Sequence, residues 1–309
     1  MQNNTTLNDM SHTYRGCNFD HETLFTIKLY TLIVASICSF VGNLLVILTV
    51  YRNKNLQTSI SYFIVNMSVS DILFPLLELL HPILFFRSIP QLSKLVLNLL
   101  CKLLPFIFEV SYGVSMLTLV AITVDRFSAV MFPLRARLKN KRKRLLVLLL
   151  TWVIPMVMFS PYLVFLEFNE FNTEKCIIYS NAVLQRRSWL AANLSLFLLL
   201  PLLIMLVLYT LIILKLRKER VPGNVLCDQV VIRRRRQNYR TTMMFIVLTV
   251  AFLLCWGPII LYLVLTVTKH RLVGCNRYFL KVSNITPVVF HAINPVIYFI
   301  FLSSFRQGF

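Results

Sequence analysis

The chain has 309 residues, of which 57% are hydrophobic and only 14% charged, and its 32 Lys and Arg oppose 12 Asp and Glu for a formal net charge of +20. A mean hydropathy of +0.71 is far too apolar for a soluble globular domain. The basic residues fall in short clusters between apolar runs and leave no separate basic domain, which argues against a nucleic-acid binder and for a multi-span membrane protein.

Residues 1–24 are polar and lack an apolar signal-peptide core. Overlapping sequons start at Asn3 and Asn4, as expected of an extracellular glycosylated tail. The same pattern at Asn66, Asn193 and Asn284 lies inside apolar runs, out of reach of the glycosylation machinery. Runs of membrane-crossing length then occupy residues 25–50, 59–87, 98–131, 145–166, 188–216, 239–268 and 277–301. They predict an all-α membrane protein, a seven-transmembrane helix bundle over residues 25–301. Lys and Arg collect after spans one, three and five, as Arg52 and Lys54, Lys141 to Arg144, Lys215 to Arg220, and Arg233 to Arg236. That side is the cytoplasm, which leaves the N-terminus extracellular and the C-terminus cytoplasmic. Residues 302–309, with Phe305-Arg306, read as the start of a truncated cytoplasmic amphipathic helix.

The third run organises the rest. From Cys101 to Arg126 a helix extends roughly 37 Å, enough to cross a hydrocarbon core of about 30 Å. Glu109 is its only formal charge between Leu103 and Val124. Cys101 and Cys176 both fall outside the membrane and are a disulfide candidate, which by loop entropy stabilises the fold by about 4–5 kcal/mol. Cys17 and Cys275 could likewise tie the tail to the third outer loop, the alternative being two free thiols. Cys38, Cys227 and Cys255 lie within spans or in the cytoplasm and are expected to be reduced. No cysteine pair has metal-ligand spacing.

Seven spans, the glycosylated tail, the cysteine pair and Asp125-Arg126-Phe127 together resemble the rhodopsin-like (class A) G-protein-coupled receptors. One motif per helix supports this: Gly42-Asn43, Asn66 and Asp71, Trp152, Pro201 and Tyr209, Cys255-Trp256-Gly257-Pro258, and Asn294-Pro295-Val296-Ile297-Tyr298. The resemblance covers residues 25–306 and is closest to the peptide-receptor branch. It implies a plasma-membrane receptor, not an enzyme, that binds an extracellular ligand and acts through a heterotrimeric G protein, with arrestin and membrane lipid as further partners.

The resemblance also assigns roles. Arg126, held by Asp125 in one state and released in another, is the coupling switch. Phe127 replaces the usual tyrosine there. Tyr209 and Tyr298, the latter closing Asn294-Pro295, are the inner tyrosines that swing toward the arginine. Met116, Pro201, Phe252 and Trp256 form the apolar relay, and Pro258 kinks its helix. Asp71, mid-span, must face the interior with partners, for which Ser115, Asn43 and Asn294 are expected. In the family this constellation resembles a site for an allosteric sodium ion. Here His291 and Phe290 replace small polar residues, and His291 is expected to bond Asp71 and weaken or replace the ion, or else merely to pack between helices.

The pocket is read from what faces the outer half. Glu78, His81, Phe108, Glu109, Tyr112, Trp189, Asn193, Trp256, Tyr262 and Asn284 are candidate ligand-binding residues. Phe108 stands where amine receptors carry aspartate, and Val288 where opsins carry the retinal lysine. With Glu167, Glu170 and Glu174 in the outer loop, the acidic mouth suits a basic neuropeptide. Internal pairing of Glu78 and Glu109 with Lys102, His81 or Lys281 is the alternative. A receptor for a lipid or small molecule, or a non-coupling scavenger or scaffold, remains open. A transporter is disfavoured because repeats and interrupted helices are absent from the sequence.

Overall fold

The computed structural model describes residues 21–86, 93–132, 141–168, 176–178, 183–218, 225–267, 283 and 285–302. The sequence expectations at Asn3, Asn4, Cys17, Cys275, Asn284, Phe305 and Arg306 lie outside the described residues, as do the side chains of His81 and Tyr262.

Among the described residues seven long helices follow in order: α1 His21–Arg52, α2 Ser59–Phe86, α3 Lys94–Met131, α4 Lys141–Phe159, α5, α6 Val225–Val267 and α7 Thr286–Phe301. Helix α5 runs as Val183–Leu194, a π-helical segment Ser195–Leu199, and Leu200–Lys218. Among the described residues six helices are long and apolar enough to cross a membrane, and α7 is a shorter apolar helix. Between α4 and α5, β1 (Leu166–Phe168) pairs antiparallel with β2 (Cys176–Ile178).

Helix α3 is the axis of the bundle. In its apolar window 61% of the residues are buried, against 17% for the span of α4, so α4 lies at the rim. Ser93 caps α3 by accepting a hydrogen bond from the Val96 N–H. Two close approaches set the helix spacing. A Cβ on Gly113 of α3 would lie 2.7 Å from Pro155 Cβ of α4, and one on Gly42 of α1 would lie 2.9 Å from Pro295 Cγ of α7. Small residues at such crossings are how membrane helices reach packing distance without a hydrophobic driving force.

Two helix ends and one internal turn depart from expectation for local reasons. Helix α6 begins at Val225, well before 239, because its basic stretch leaves the bilayer but consists of good helix formers. Helix α4 stops at Phe159 rather than 166, where Pro161 lacks an N–H to continue the ladder and a separate turn, Tyr162–Phe165, leads into β1. The wide turn in α5 has no hydropathy signature at all, since Ser195–Leu199 is as apolar as its flanks.

Candidate functional site

The outer half is built on the top of α3. Cys101 is fully buried and disulfide-bonded. It packs in a small apolar cluster with Leu104 and with Leu166 of β1. Phe168, opposite Cys176 in the strand pair, donates its backbone N–H to Asn98 Oδ1 at 3.1 Å. The hairpin is thereby fastened over the end of α3, a placement that fits the Cys101–Cys176 pairing.

Beneath it aromatic rings from four helices converge. Phe74 of α2 lies 4.0 Å from Phe108 of α3 and 5.4 Å, edge-on, from Trp256 of α6, between ring centroids. Tyr112 of α3 is 4.4 Å from Trp256, and Trp256 stacks on Phe252 at 5.7 Å. The Tyr112 hydroxyl donates to the Phe197 carbonyl of the π-helical segment at 3.3 Å, a use for a carbonyl in a widened turn. Trp189 and Asn193, one turn apart on α5, join this wall. Trp189 donates Nε1–H to the Met158 carbonyl, while the Asn193 side-chain carbonyl has no protein partner.

The two acidic candidates differ sharply. Glu78 forms an ion pair with Lys28 of α1 at 3.3 Å. It does not await an external cation, and Lys28 was missed because residues fifty apart in sequence carry no local signal of pairing. Glu109 instead accepts a hydrogen bond from the neutral Tyr162 hydroxyl at 3.0 Å. Among the described residues no basic side chain pairs with it.

Midway down the bundle Asp71 is fully buried. Its Oδ1 lies 2.7 Å from His291 Nδ1, and its Oδ2 accepts from Asn294 Nδ2 at 2.7 Å. Ser115 donates to Oδ1 at 3.3 Å and also meets Ser70 at 2.9 Å. Of the expected partners, Asn43 is corrected: its Nδ2 donates to the Ser39 and His291 backbone carbonyls, tying α1 to α7, and does not reach the carboxyl group. A hard cation such as sodium requires several oxygen lone pairs aimed at one point. Here both carboxyl oxygens are engaged by nitrogen, and an imidazole stands against the carboxyl group. These residues do not fit the ion.

At the inner end Arg126 Nη2 donates to Asp125 Oδ2 at 2.5 Å. Phe127 packs edge-on against Phe132 at 6.4 Å between ring centroids. Neither inner tyrosine touches the arginine. Thr123 of α3 and Tyr209 of α5 share a hydrogen bond at 2.8 Å, and Tyr298 of α7 donates to Met67 Sδ at 3.4 Å. Met116, Pro201, Phe252 and Trp256 are all buried above them, with Pro258 two residues after Trp256 in α6. Thr123 is a residue that sequence reading missed, since a threonine on a helix commonly bonds only its own backbone, as Thr123 also does to Leu119. Substituting Thr123→Val keeps the shape and removes the bond that fastens Tyr209 to α3, leaving its contact with Thr249 of α6. At about 1 kcal/mol for such a bond, basal nucleotide exchange in membranes is expected to rise about two- to fivefold. An unchanged basal rate removes Thr123 from the switch.

A further polar joint holds the rim helix: Asn66 of α2 donates to Thr118 and Thr151 and accepts from Trp152 Nε1 at 2.9 Å.

Comparison with known proteins agrees with this architecture. The sequence model described as 7 transmembrane receptor (rhodopsin family) matches residues 42–298. A QRFP-like peptide receptor of Branchiostoma floridae is 28% identical over 302 residues, covering 92% of this chain and 76% of that protein. Growth hormone secretagogue receptor type 1 of Sus scrofa is 30% identical, covering 89% and 77%. Galanin receptor 2a of Danio rerio is 26% identical, covering 87% and 73%.

Proposed function

We propose, for a chain that belongs to the rhodopsin family of seven-transmembrane receptors, that the extracellular ligand is a peptide with a basic group and that the cytoplasmic partner is a heterotrimeric G protein. Membership in the family makes the chain a multi-pass plasma-membrane receptor and not an enzyme. The peptide class is supported by relatives whose names include peptide receptors. The basic group is supported by one observation above others: Glu109 stands beside the aromatic floor with a neutral hydroxyl as its partner, in an apolar setting where a carboxyl group gains most from a cation. Glu78 is excluded from this role by Lys28. The ligand therefore places its amine or guanidinium at Glu109 and its apolar face on Phe108, Tyr112 and Trp256, with Trp189 and Asn193 along the wall. Binding there displaces Trp256, the stacked Phe252 follows, and α6 pivots at Pro258 to free Arg126 for the G protein.

Screening amidated and basic peptides on cells that express the chain tests this, with an Arg126→Ala receptor as the silent control. For an active peptide, Glu109→Gln is expected to lower potency at least tenfold, since a charge-assisted hydrogen bond contributes about 1.5–3 kcal/mol. A neutral analogue of that peptide should not distinguish the two receptors. Equal potency of the basic peptide on both would take Glu109 out of the pocket, and a response confined to lipids or uncharged small molecules would refute the peptide assignment.

A further inference from the structure

The geometry points to His291 as the built-in substitute for the interior cation: the imidazole occupies the inner face of Asp71, and this receptor takes no sodium ion there. Three observations carry this. First, both carboxyl oxygens are already committed, Oδ1 to His291 Nδ1 and Oδ2 to Asn294 Nδ2, each at 2.7 Å. Ser115 also donates to Oδ1, at 3.3 Å, so protein contacts already take three of the roughly four lone-pair sites of the carboxyl group, and an ion that needs several free lone pairs at one point does not find them here.

Second, the imidazole is enclosed by packed rings. His291 and Phe74 are fully buried, and their ring centroids lie 4.2 Å apart. Phe290 meets the imidazole edge-on at 5.3 Å and Trp256 meets it edge-on at 6.3 Å. These three rings pack against the imidazole in an interior of crystal-like density, which opposes its swinging away from Asp71.

Third, the backbone is pinned as well. The His291 carbonyl accepts from Asn43 Nδ2 at 3.1 Å, and the single Ser39 hydroxyl proton is shared between the Asp71 carbonyl at 2.7 Å and, more weakly, the His291 carbonyl at 3.3 Å. Helix α1 thus clamps together the two residues that form the pair. A diffusible ion ties Asp71 to its neighbours only at the concentration that fills the site. A covalently attached imidazole does so at every salt concentration. The joint between α2 and α7 is consequently permanent in the resting bundle, whatever ligand the outer pocket accepts.

Removing the ring uncovers the oxygen ligands. The Asn43 and Asn294 side-chain carbonyls lack a protein partner and lie in the same layer as Asp71 and Ser115. His291→Ser adds one more oxygen and opens the volume of the ring, so this variant gains the ion that the natural sequence excludes.

The test is thermal unfolding of the purified full chain, followed by tryptophan fluorescence, in a sodium chloride series matched in ionic strength with choline chloride. The natural sequence is expected to unfold at the same temperature in both salts. His291→Ser is expected to unfold about 2–4 °C higher at about ten times the half-saturating sodium concentration than in choline. That difference should vanish in Asp71→Asn/His291→Ser. A sodium-specific rise in the natural sequence that Asp71→Asn removes would overturn the proposal without recourse to the variant. A folded His291→Ser receptor with no sodium response overturns it too, because something other than the imidazole would then exclude the ion. Should His291→Ser not fold, the comparison of the natural sequence with Asp71→Asn decides alone.

Discussion

Replacing Arg126 with alanine is expected to abolish ligand-stimulated guanine-nucleotide exchange, by more than tenfold, while the receptor still reaches the plasma membrane. The guanidinium is the one strong donor array at the inner end of α3, its side chain 16% exposed against 9% for Asp125. Its Nε carries no partner within the protein, so donor capacity is already in reserve. The pair is short and held by neighbouring residues on one helix, which makes it a local latch and not a joint between helices. Opening it requires only a better acceptor, such as a backbone carbonyl of an inserted partner. Alanine removes the planar donor fork of the guanidinium outright. Asp125→Asn should act in the opposite direction, since the arginine then loses an ionic acceptor and keeps a weaker neutral one, and basal exchange rises. Surface labelling together with nucleotide exchange on membranes separates coupling from expression. An Arg126→Ala receptor that retains more than a tenth of the exchange rate at equal surface density would dismiss the arginine as the coupling group.

What the chain discloses before folding follows from how each feature is encoded. Helix number and orientation are written in hydropathy and in the placement of Lys and Arg, because the bilayer imposes both on each segment separately. The His291–Asp71 contact was legible for a related reason: a mid-span carboxyl group must find a partner, and only a few polar side chains occupy that depth. Lys28 was not legible as the partner of Glu78. Its pairing depends on the rotation of α1 about its own axis, and a lysine near a helix end is equally able to extend toward the headgroups. The bond from Thr123 to Tyr209 and the wide turn at Ser195–Leu199 are hidden similarly, for both arise from how α3 and α5 fit together and neither changes the hydrophobic pattern. The cytoplasmic extension of α6 shows the converse. Hydropathy reports where the membrane ends, and helix propensity decides where the helix ends.

Gly113→Leu is expected to prevent the receptor from reaching the cell surface, and Gly113→Ala to lower its apparent unfolding temperature by about 2–10 °C. The methyl group of alanine would lie 2.7 Å and 2.8 Å from Pro155 Cβ and Cγ and 3.1 Å from Phe159 Cε2. A flexible side chain could retreat from such a contact, but a pyrrolidine ring is fused to its own backbone, so α4 must move as a whole. Moving it loosens the polar joint in which Asn66 meets Thr118, Thr151 and Trp152, and in hydrocarbon no water replaces a lost partner. Alanine also carries a compensating gain of about 1 kcal/mol in helix propensity over glycine, which is why its net effect is a shift and leucine's is a loss. Gly257→Ala in α6 isolates that propensity term, because a Cβ there meets nothing within 4 Å. It should unfold at or slightly above the temperature of the natural sequence. If Gly113→Ala behaves like Gly257→Ala, the approach of α3 to α4 is not set by this glycine, and the spacing must come from the Asn66 hydrogen bonds instead.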